Sequence, residues 1–269
     1  MIDSITFLIQ AILIAYRTRL LALTGMLVFF VLSAMGLAHS FSPRQADVVA
    51  LDVALSCLRI GGLLLLLILA QQLIVVDIER RVILGVIALP VKRHSYLVGR
   101  FLAISSLLLV FVVASGLGVF LEAHYMMPVF AGLSQPEWLK IPAVLGGVWI
   151  ELVVILSAMI FFTTLAKTPY LSAILTLGFA VASRSLHAAL NYLMHDPDAS
   201  AKVKVRLLPA LDFIRWLVPD LSLLDWRDAA LYAQPWEKMA IFPSILMATG
   251  YSALLIIGAV WLFQRREFD

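Results

Sequence analysis

Two ionisable residues of opposite charge stand inside long apolar stretches of the sequence. Glu151 lies ten residues after Ile141, and Arg184 lies nine residues before Leu193. If both stretches are helical, each side chain lies about 14 to 15 Å below the same end of its helix. An isolated charge at that depth in a bilayer costs at least about 2.5 kcal/mol, which favours a paired or hydrated site. The two residues therefore form either a salt bridge between antiparallel helices or part of a polar lining for a substrate path.

A second set of residues has the chemistry of a soft metal site. His124, Met126 and Met127 follow one apolar stretch, and Met194 and His195 follow another. Thioether and imidazole groups are suitable ligands for Cu(I). Methionine is also a common filler of apolar cores, and this chain contains nine. The pattern permits a metal site without requiring one.

Six apolar stretches must position these residues. The 269-residue chain is 62% hydrophobic and only 14% charged, a composition typical of a polytopic membrane protein. A membrane-spanning helix needs about 20 mainly apolar residues. We therefore predict an all-α membrane protein, with residues 1–269 forming a single transmembrane domain. Its six predicted spans are residues 20–38, 58–76, 101–121, 141–166, 169–193 and 239–263.

Basic residues near the ends of the spans predict the orientation. Short cytoplasmic loops of membrane proteins carry an excess of Lys and Arg. With both termini inside, ten basic residues flank the spans in the cytoplasm, whereas the opposite short loops hold only Arg44, Arg59 and Lys140. We expect both termini to be cytoplasmic, the N-terminal segment to be retained, and the protein to lie in a bacterial inner membrane. The basic runs are too short to predict nucleic-acid binding.

Amphipathic segments are also predicted outside the spans. Residues 1–18 carry apolar side chains at helical spacing, which predicts a helix on the inner leaflet. The alternative is that this segment extends the first span across Arg17 and Arg19.

The outer loop 195–238 also has helical signals. Leu207, Leu211, Ile214 and Val218 share a helical face. Ser222 followed by Asp225 resembles a capping signal for a second short helix, which would run through Tyr232. Trp216, Trp226 and Trp236 favour a water boundary, so we expect these short helices at the outer interface.

The segment 77–98, between the second and third spans, is charged, net basic and amphipathic. Its apolar residues can share one helical face, while the charged residues occupy the first turn and a proline ends the pattern. Such a helix could insert into a cleft on another protein, or it could rest against lipid. The residues that define it are Asp77, Glu79, Arg80, Arg81, Val82, Ile83, Val86, Leu89, Pro90 and Arg93.

This segment resembles the connection between the second and third spans of ABC-2-type transporter permeases. The resemblance is closest to the subgroup that includes permeases linked to multi-copper enzyme maturation and gliding motility. Five residues match the family's acid, proline, basic, aromatic and glycine positions, and Arg100 stands where lysine is commoner. The five are Glu79, Pro90, Arg93, Tyr96 and Gly99.

The resemblance implies a transport subunit rather than an enzyme. The sequence has no Gly-x-x-x-x-Gly-Lys-Ser/Thr phosphate loop, so ATP and Mg²⁺ would be bound by a separate ABC ATPase. It further implies two ATPase copies and a second permease copy, identical or a paralogue, with the segment 77–98 as the ATPase contact. Export of an unidentified substrate is the expected activity.

Two other functions remain open on the sequence. A secondary transporter would also place Glu151 and Arg184 at mid-depth, although the sequence shows no internal repeat of the kind common in such proteins. A non-transporting anchor subunit of an envelope complex is the third reading.

Overall fold

The described part of the chain is helical. The structure is a computed structural model, and it describes residues 2–42, 46–76, 93–126, 140–166, 168–195, 218–232, 235 and 240–265. These residues contain no strand, which confirms the predicted all-α class. The longer helices are α1 (Ile2–Arg17), α2 (Leu20–Phe41), α3 (Ala46–Ala70), α4 (Arg93–Met126), α5 (Ile141–Leu165) and α6 (Pro169–His195).

The remaining elements are shorter or close the chain. A π-helical turn, Gln71–Val75, continues α3 without a break. A 3₁₀ turn, Leu221–Leu224, precedes the short helix α7 (Arg227–Leu231). The last helix is α8 (Ile241–Arg265).

Five of the described helices are long and apolar enough to cross a membrane. They are α2, α3 with its π turn, α4, α5 and α8. These helices are those of a multi-pass membrane protein. The fifth predicted span corresponds to α6, which has 27 residues but is not among the five.

Two helices begin earlier than their predicted spans. The second span was predicted at 58–76, but α3 begins at Ala46. The third was predicted at 101–121, but α4 covers Arg93–Met126. A hydropathy criterion stops at polar residues, whereas a helix continues through them when the protein supplies partners. The turns of α3 that precede the predicted span contain Asp52, which forms an ion pair with Arg227.

The core lies between α3, α4 and α5. We compared the most apolar 18-residue stretch of each helix. In α5, 67% of this stretch is buried, compared with 11% in α8 and 17% in α2. The latter two helices therefore present most of their apolar surface outwards, as expected where lipid is the solvent. Large side chains such as Phe29, Leu254 and Ile257 are exposed there.

The first helix is separated from the second by a break at Thr18 and Arg19. Arg19 has a φ of 59°, the left-handed conformation that commonly ends a helix. Ala11 and Ala15 are fully buried, whereas Leu13 and Tyr16 are exposed. The small residues let α1 pack closely, and the larger apolar residues face away from the bundle. This arrangement favours a separate amphipathic helix over an extended first span.

Candidate functional site

Six charged side chains from separate parts of the chain meet within the bundle. Three helices and the segment 218–232, here called the docked segment, contribute to this charge network. Its members are Asp52, Arg59, Glu151, Arg184, Asp225 and Arg227. Three are acidic and three are basic, so the network is formally neutral.

Glu151 and Arg184 lie side by side, as their predicted depths require. Arg184 Nη1 donates to Glu151 Oε1 at 3.1 Å. The other carboxylate oxygen, Oε2, lies 2.9 Å from Nε of Arg59 in α3. The side chain of Glu151 is only 2% exposed, so its carboxylate is held between two guanidinium groups within the protein. Such pairing offsets much of the cost of burying a charge.

Asp225 is the point at which the docked segment joins the network. Its Oδ2 accepts hydrogen bonds from Arg59 Nη1 at 2.8 Å and from Arg184 Nη2 at 2.8 Å. Arg227 Nη2 adds a third at 2.9 Å, and Arg227 Nε contacts both carboxylate oxygens. One carboxylate of the docked segment therefore connects α3 with α6.

The environment of Asp225 changes its protonation. Burial by itself raises the pKa of this carboxyl, but hydrogen bonds from Arg227 and Arg59 outweigh it and hold the pKa far below its ordinary value. Because the folded pKa is depressed, the carboxylate stabilises the fold above the ordinary aspartate pKa. That contribution is lost as the pH falls towards the folded value.

Arg227 extends the network back to α3. Its Nη1 donates to Asp52 Oδ1 at 2.9 Å and to Ser56 Oγ at 3.0 Å. The hydrogen bonds that Arg227 donates to Asp225 raise its pKa and burial lowers it, and the net effect raises that pKa. The guanidinium therefore stays charged across the accessible pH range. Asp52 is 48% exposed, so this end of the network opens towards the surface.

The docked segment packs closely against α5. Leu221 and Leu224 are fully buried, and Asp220 caps their turn by accepting from Ser222 N at 3.0 Å. At Gly147 a Cβ atom would lie 2.6 Å from the carbonyl oxygen of Leu224, closer than real atoms approach. Glycine at position 147 thus allows the backbone of the docked segment to touch that of α5.

Two predictions for this region are wrong in detail. Ser222 and Asp225 do not cap the second short helix: α7 begins after Trp226 without a side-chain cap, Asp220 caps the preceding 3₁₀ turn, and the Asp225 carboxylate accepts from arginines. Trp226 was expected at a water boundary, but it is buried, and its Nε1 donates to Leu223 O at 2.9 Å. The second short helix does end near Tyr232, at Leu231. Trp216, Trp236 and residues 207–217 lie outside the described residues.

Four members of the network were not recognised as site residues in the sequence. Arg59 was counted with a short outer loop because it stands at the very start of the predicted span 58–76. A usable signal was the spacing of Asp52, Ser56 and Arg59, which puts three polar residues on one helical face. Asp225 and Arg227 bond to each other across two residues, but nothing local to them indicates their partners in α3, Arg59 and Asp52, which are 166 and 175 residues away.

The predicted ATPase-contact residues mostly fall outside the described part of the chain. This applies to Asp77, Glu79, Arg80, Arg81, Val82, Ile83, Val86, Leu89 and Pro90. Arg93 begins α4, and its side chain also lies outside the description. Two later residues of the permease-like pattern are described. Tyr96 and Arg100 are buried, and the Arg100 guanidinium lies 5.4 Å from the Tyr96 ring centroid.

The predicted soft-metal residues are only partly described. His124 stacks on Phe120, with 6.2 Å between ring centroids. Met127 and the side chains of Met126, Met194 and His195 lie outside the described residues. Within the part that is described, no group of three or more His, Cys, Asp or Glu side chains could hold a metal ion.

The network can fix the docked segment to three helices. Its charges are mutually satisfied, so it is suited to holding elements in register rather than to attracting a charged ligand. Opening it would require each arginine and carboxylate to find another partner or water. The docked position of residues 218–232 therefore depends on the ion pairs that Asp225 and Arg227 make with α3 and α6.

Replacement of Arg184 by Met tests that dependence. We expect Arg184→Met to lower stability by about 1 to 3 kcal/mol, less than for a fully buried pair because the side chain is 30% exposed. Adding Glu151→Gln should restore part of the loss by removing the excess negative charge. Folded yield and thermal unfolding in nanodiscs measure both effects. Arg265→Met, outside the network, is the control. Normal assembly combined with lost export would instead support a substrate path.

No protein-family model matches the chain, and no curated protein matches it significantly.

Proposed function

We propose that the chain is the membrane-spanning permease subunit of an ATP-driven ABC exporter. The observation that carries this proposal is the position of the segment 77–92, which connects α3 with α4. Both helices run from this connection into the core of the bundle. Residues 77–100 carry the permease-like pattern, and the sequence lacks a phosphate loop of its own.

The two flanking helices suit the transmission of movement. With 34 residues, α4 is about 50 Å long and exceeds the hydrocarbon thickness of about 30 Å. Tyr96 and Arg100 pack its first turns into the bundle. On the other side, Arg59 lies 16 residues before Val75, about 24 Å along the helix. A push on the connection would thus reach both the core and the charge network.

In this proposal α6 also crosses the membrane, as the fifth of six spans, in addition to the five apolar helices. Its 27 residues give a length of about 40 Å, which is sufficient to cross. The charge of Arg184 is compensated by Glu151 and Asp225, so the cost of placing it at depth is reduced. Six spans put both termini on one side, which the basic flanking residues predict to be the cytoplasm, and the docked segment on the other. Two ATPase subunits and a second permease copy complete the transporter.

A secondary transporter is the second candidate function. The observation in its favour is the buried charge network beside the irregular docked segment, because ion-coupled transporters place charged groups near broken helices. The decisive experiment is copurification with an ATPase and measurement of ATP hydrolysis in nanodiscs. Vanadate-sensitive hydrolysis supports the exporter, and its absence favours the secondary transporter.

Charge reversal in the predicted ATPase contact gives a sharper test. We expect the double variant Glu79→Lys, Arg80→Glu to insert normally but to lose substrate-stimulated ATP hydrolysis, because the contact surface is inverted without a change in net charge. ATPase activity of the copurified complex and membrane yield are the two measurements. The matched control is Arg266→Glu, Glu267→Lys, which inverts an adjacent pair elsewhere in the chain. Equal stimulation in both double variants would contradict the proposal.

A further inference from the structure

The first helix, α1, presents different surfaces around its circumference. Consecutive residues of an α-helix are about 100° apart. Ala11 and Ala15 are fully buried and lie within about 40° of each other. Ile9, Leu13 and Tyr16 lie within about 60° of one another, and each is more than half exposed. The centres of these two sectors are about 140° apart, so the large apolar side chains face away from the bundle.

A third sector of α1 is polar. Gln10 and Arg17 are exposed, about 90° from the centre of the apolar sector and about 130° from the centre of the buried one. A helix with one side against protein, one apolar side and one polar side is suited to lying along a bilayer surface. With 16 residues, α1 is about 24 Å long and is shorter than the hydrocarbon thickness of about 30 Å.

The contacts of α1 place it beside the membrane-spanning helices. It packs against α4 and touches the π turn that follows α3. Only Thr18 and Arg19 separate it from α2, which qualifies as membrane-spanning. The end of α1 therefore lies at the boundary of the hydrocarbon. Leu21 in the first turn of α2 is exposed, so the apolar sector of α1 adjoins a surface that faces lipid.

The turn between α1 and α2 is basic. Arg17 and Arg19 are exposed on either side of Thr18, whose Oγ1 fixes the turn by donating to the Ile14 carbonyl oxygen at 2.8 Å. Neither arginine forms an ion pair with any residue that the structure describes, unlike the arginines of the charge network. Two positive charges at the level of the headgroups are complementary to an anionic lipid surface.

We infer that α1 and the turn after it bind the anionic surface of the bilayer. Ile9, Leu13 and Tyr16 enter the acyl region, and Arg17 and Arg19 contact the phosphates of anionic glycerophospholipids. A bilayer supplies both hydrocarbon for the apolar sector and negative charge for the arginines, whereas an acidic protein surface supplies only the charge. Selectivity for anionic headgroups goes beyond the interfacial position that the sequence predicts. It is also independent of the proposed transport activity.

The experiment places a fluorophore on α1 of the full chain in nanodiscs. Cys57→Ser removes the native thiol, and bimane is attached through Leu13→Cys or Gln10→Cys. The nanodiscs contain phosphatidylcholine and a small fraction of a lipid that carries a nitroxide quencher on its acyl chain. We expect this lipid to quench the label at position 13 more than aqueous iodide does. At position 10, in the polar sector, we expect the reverse.

The choice of headgroup tests the lipid class. Each arginine near an anionic surface contributes about fivefold to association, so nitroxide-labelled phosphatidylglycerol should associate about thirtyfold more strongly than labelled phosphatidylcholine at position 13. Arg17→Gln with Arg19→Gln should reduce this preference to near one. Arg17→Lys with Arg19→Lys should retain it, since the charge is kept. The matched control is Lys202→Gln with Lys204→Gln, which removes two charges at the same spacing elsewhere in the chain and should leave the preference unchanged.

Three results would overturn the inference. Equal quenching by the two labelled lipids would remove the selectivity. Quenching at position 13 by neither lipid nor iodide would show that protein covers the apolar sector. A preference that survives removal of both arginines would assign the anionic lipid to other residues.

Discussion

Asp225→Asn is expected to lower the free energy of unfolding by about 3 to 5 kcal/mol, the usual effect of removing one partner from a buried ion-pair network. The three guanidinium groups of Arg59, Arg184 and Arg227 all donate to this carboxylate, whose side chain is only 16% exposed. An amide has the same size but cannot neutralise them. Chemical unfolding in mixed micelles measures the loss, and limited proteolysis should show cleavage within residues 218–232.

The control for Asp225 lies in the same segment. Asp228 is exposed on α7, and Asp228→Asn makes the same chemical change outside the network. We expect its effect to stay within about 0.5 kcal/mol, as for other surface substitutions. Combining Asp225→Asn with Arg227→Gln should cost less than the sum of the single variants. Strict additivity would show that the network does not act as a unit.

Gly147→Ala is expected to release the docked segment by a steric route. The added Cβ would lie 2.6 Å from the Leu224 carbonyl oxygen and 3.1 Å from Trp226 Cε3. Because the first of these atoms belongs to the backbone, a side-chain rotation cannot relieve the contact. Overpacking of this kind costs about 1 to 3 kcal/mol. Thermal unfolding measures the cost, and increased solvent quenching of Trp226 fluorescence in a background without the other tryptophans reports the displacement.

The adjacent glycine provides a control with the opposite expected sign. At Gly146 no atom lies within 4 Å of an added Cβ. Gly146→Ala should therefore stabilise α5 by about 0.5 to 1 kcal/mol through helix propensity alone. If both alanine variants change stability in the same direction by similar amounts, contact between α5 and the docked segment is not what position 147 maintains.

The sequence predicts depth in this protein better than it predicts neighbours. A fixed rise per residue places Glu151 and Arg184 at one level, and the structure brings them to 3.1 Å. The same reasoning gives no rotation of one helix relative to another. Asp225 is 74 residues after Glu151, and only the tertiary fold brings both to Arg59.

Hydropathy also starts the second predicted span, at residue 58, later than α3, the helix that contains it, begins. It places Asp52 and Arg59 in or near a loop because charged residues interrupt the apolar run. In the structure they lie inside α3, where Arg227 and Asp225 satisfy them. The helical class and the apolar helices follow from composition, since backbone groups in a bilayer must be satisfied internally. The charge network does not follow from composition, because it depends on contacts between residues that are distant in the sequence.

The π turn at the end of α3 has a consequence for angular phase. A π turn accommodates one residue more than an α-helical turn, and one residue corresponds to about 100° of rotation. The azimuth at which the chain leaves α3 after Val76, relative to Arg59, therefore differs by about that angle from the azimuth that an uninterrupted α-helix would give. Conversion of the turn to α-helix without loss of a residue would rotate the following connection by roughly a quarter of a circle, whereas loss of one residue between Gln71 and Val75 would leave its azimuth nearly unchanged. The π turn thus sets the angle between the two ends of α3.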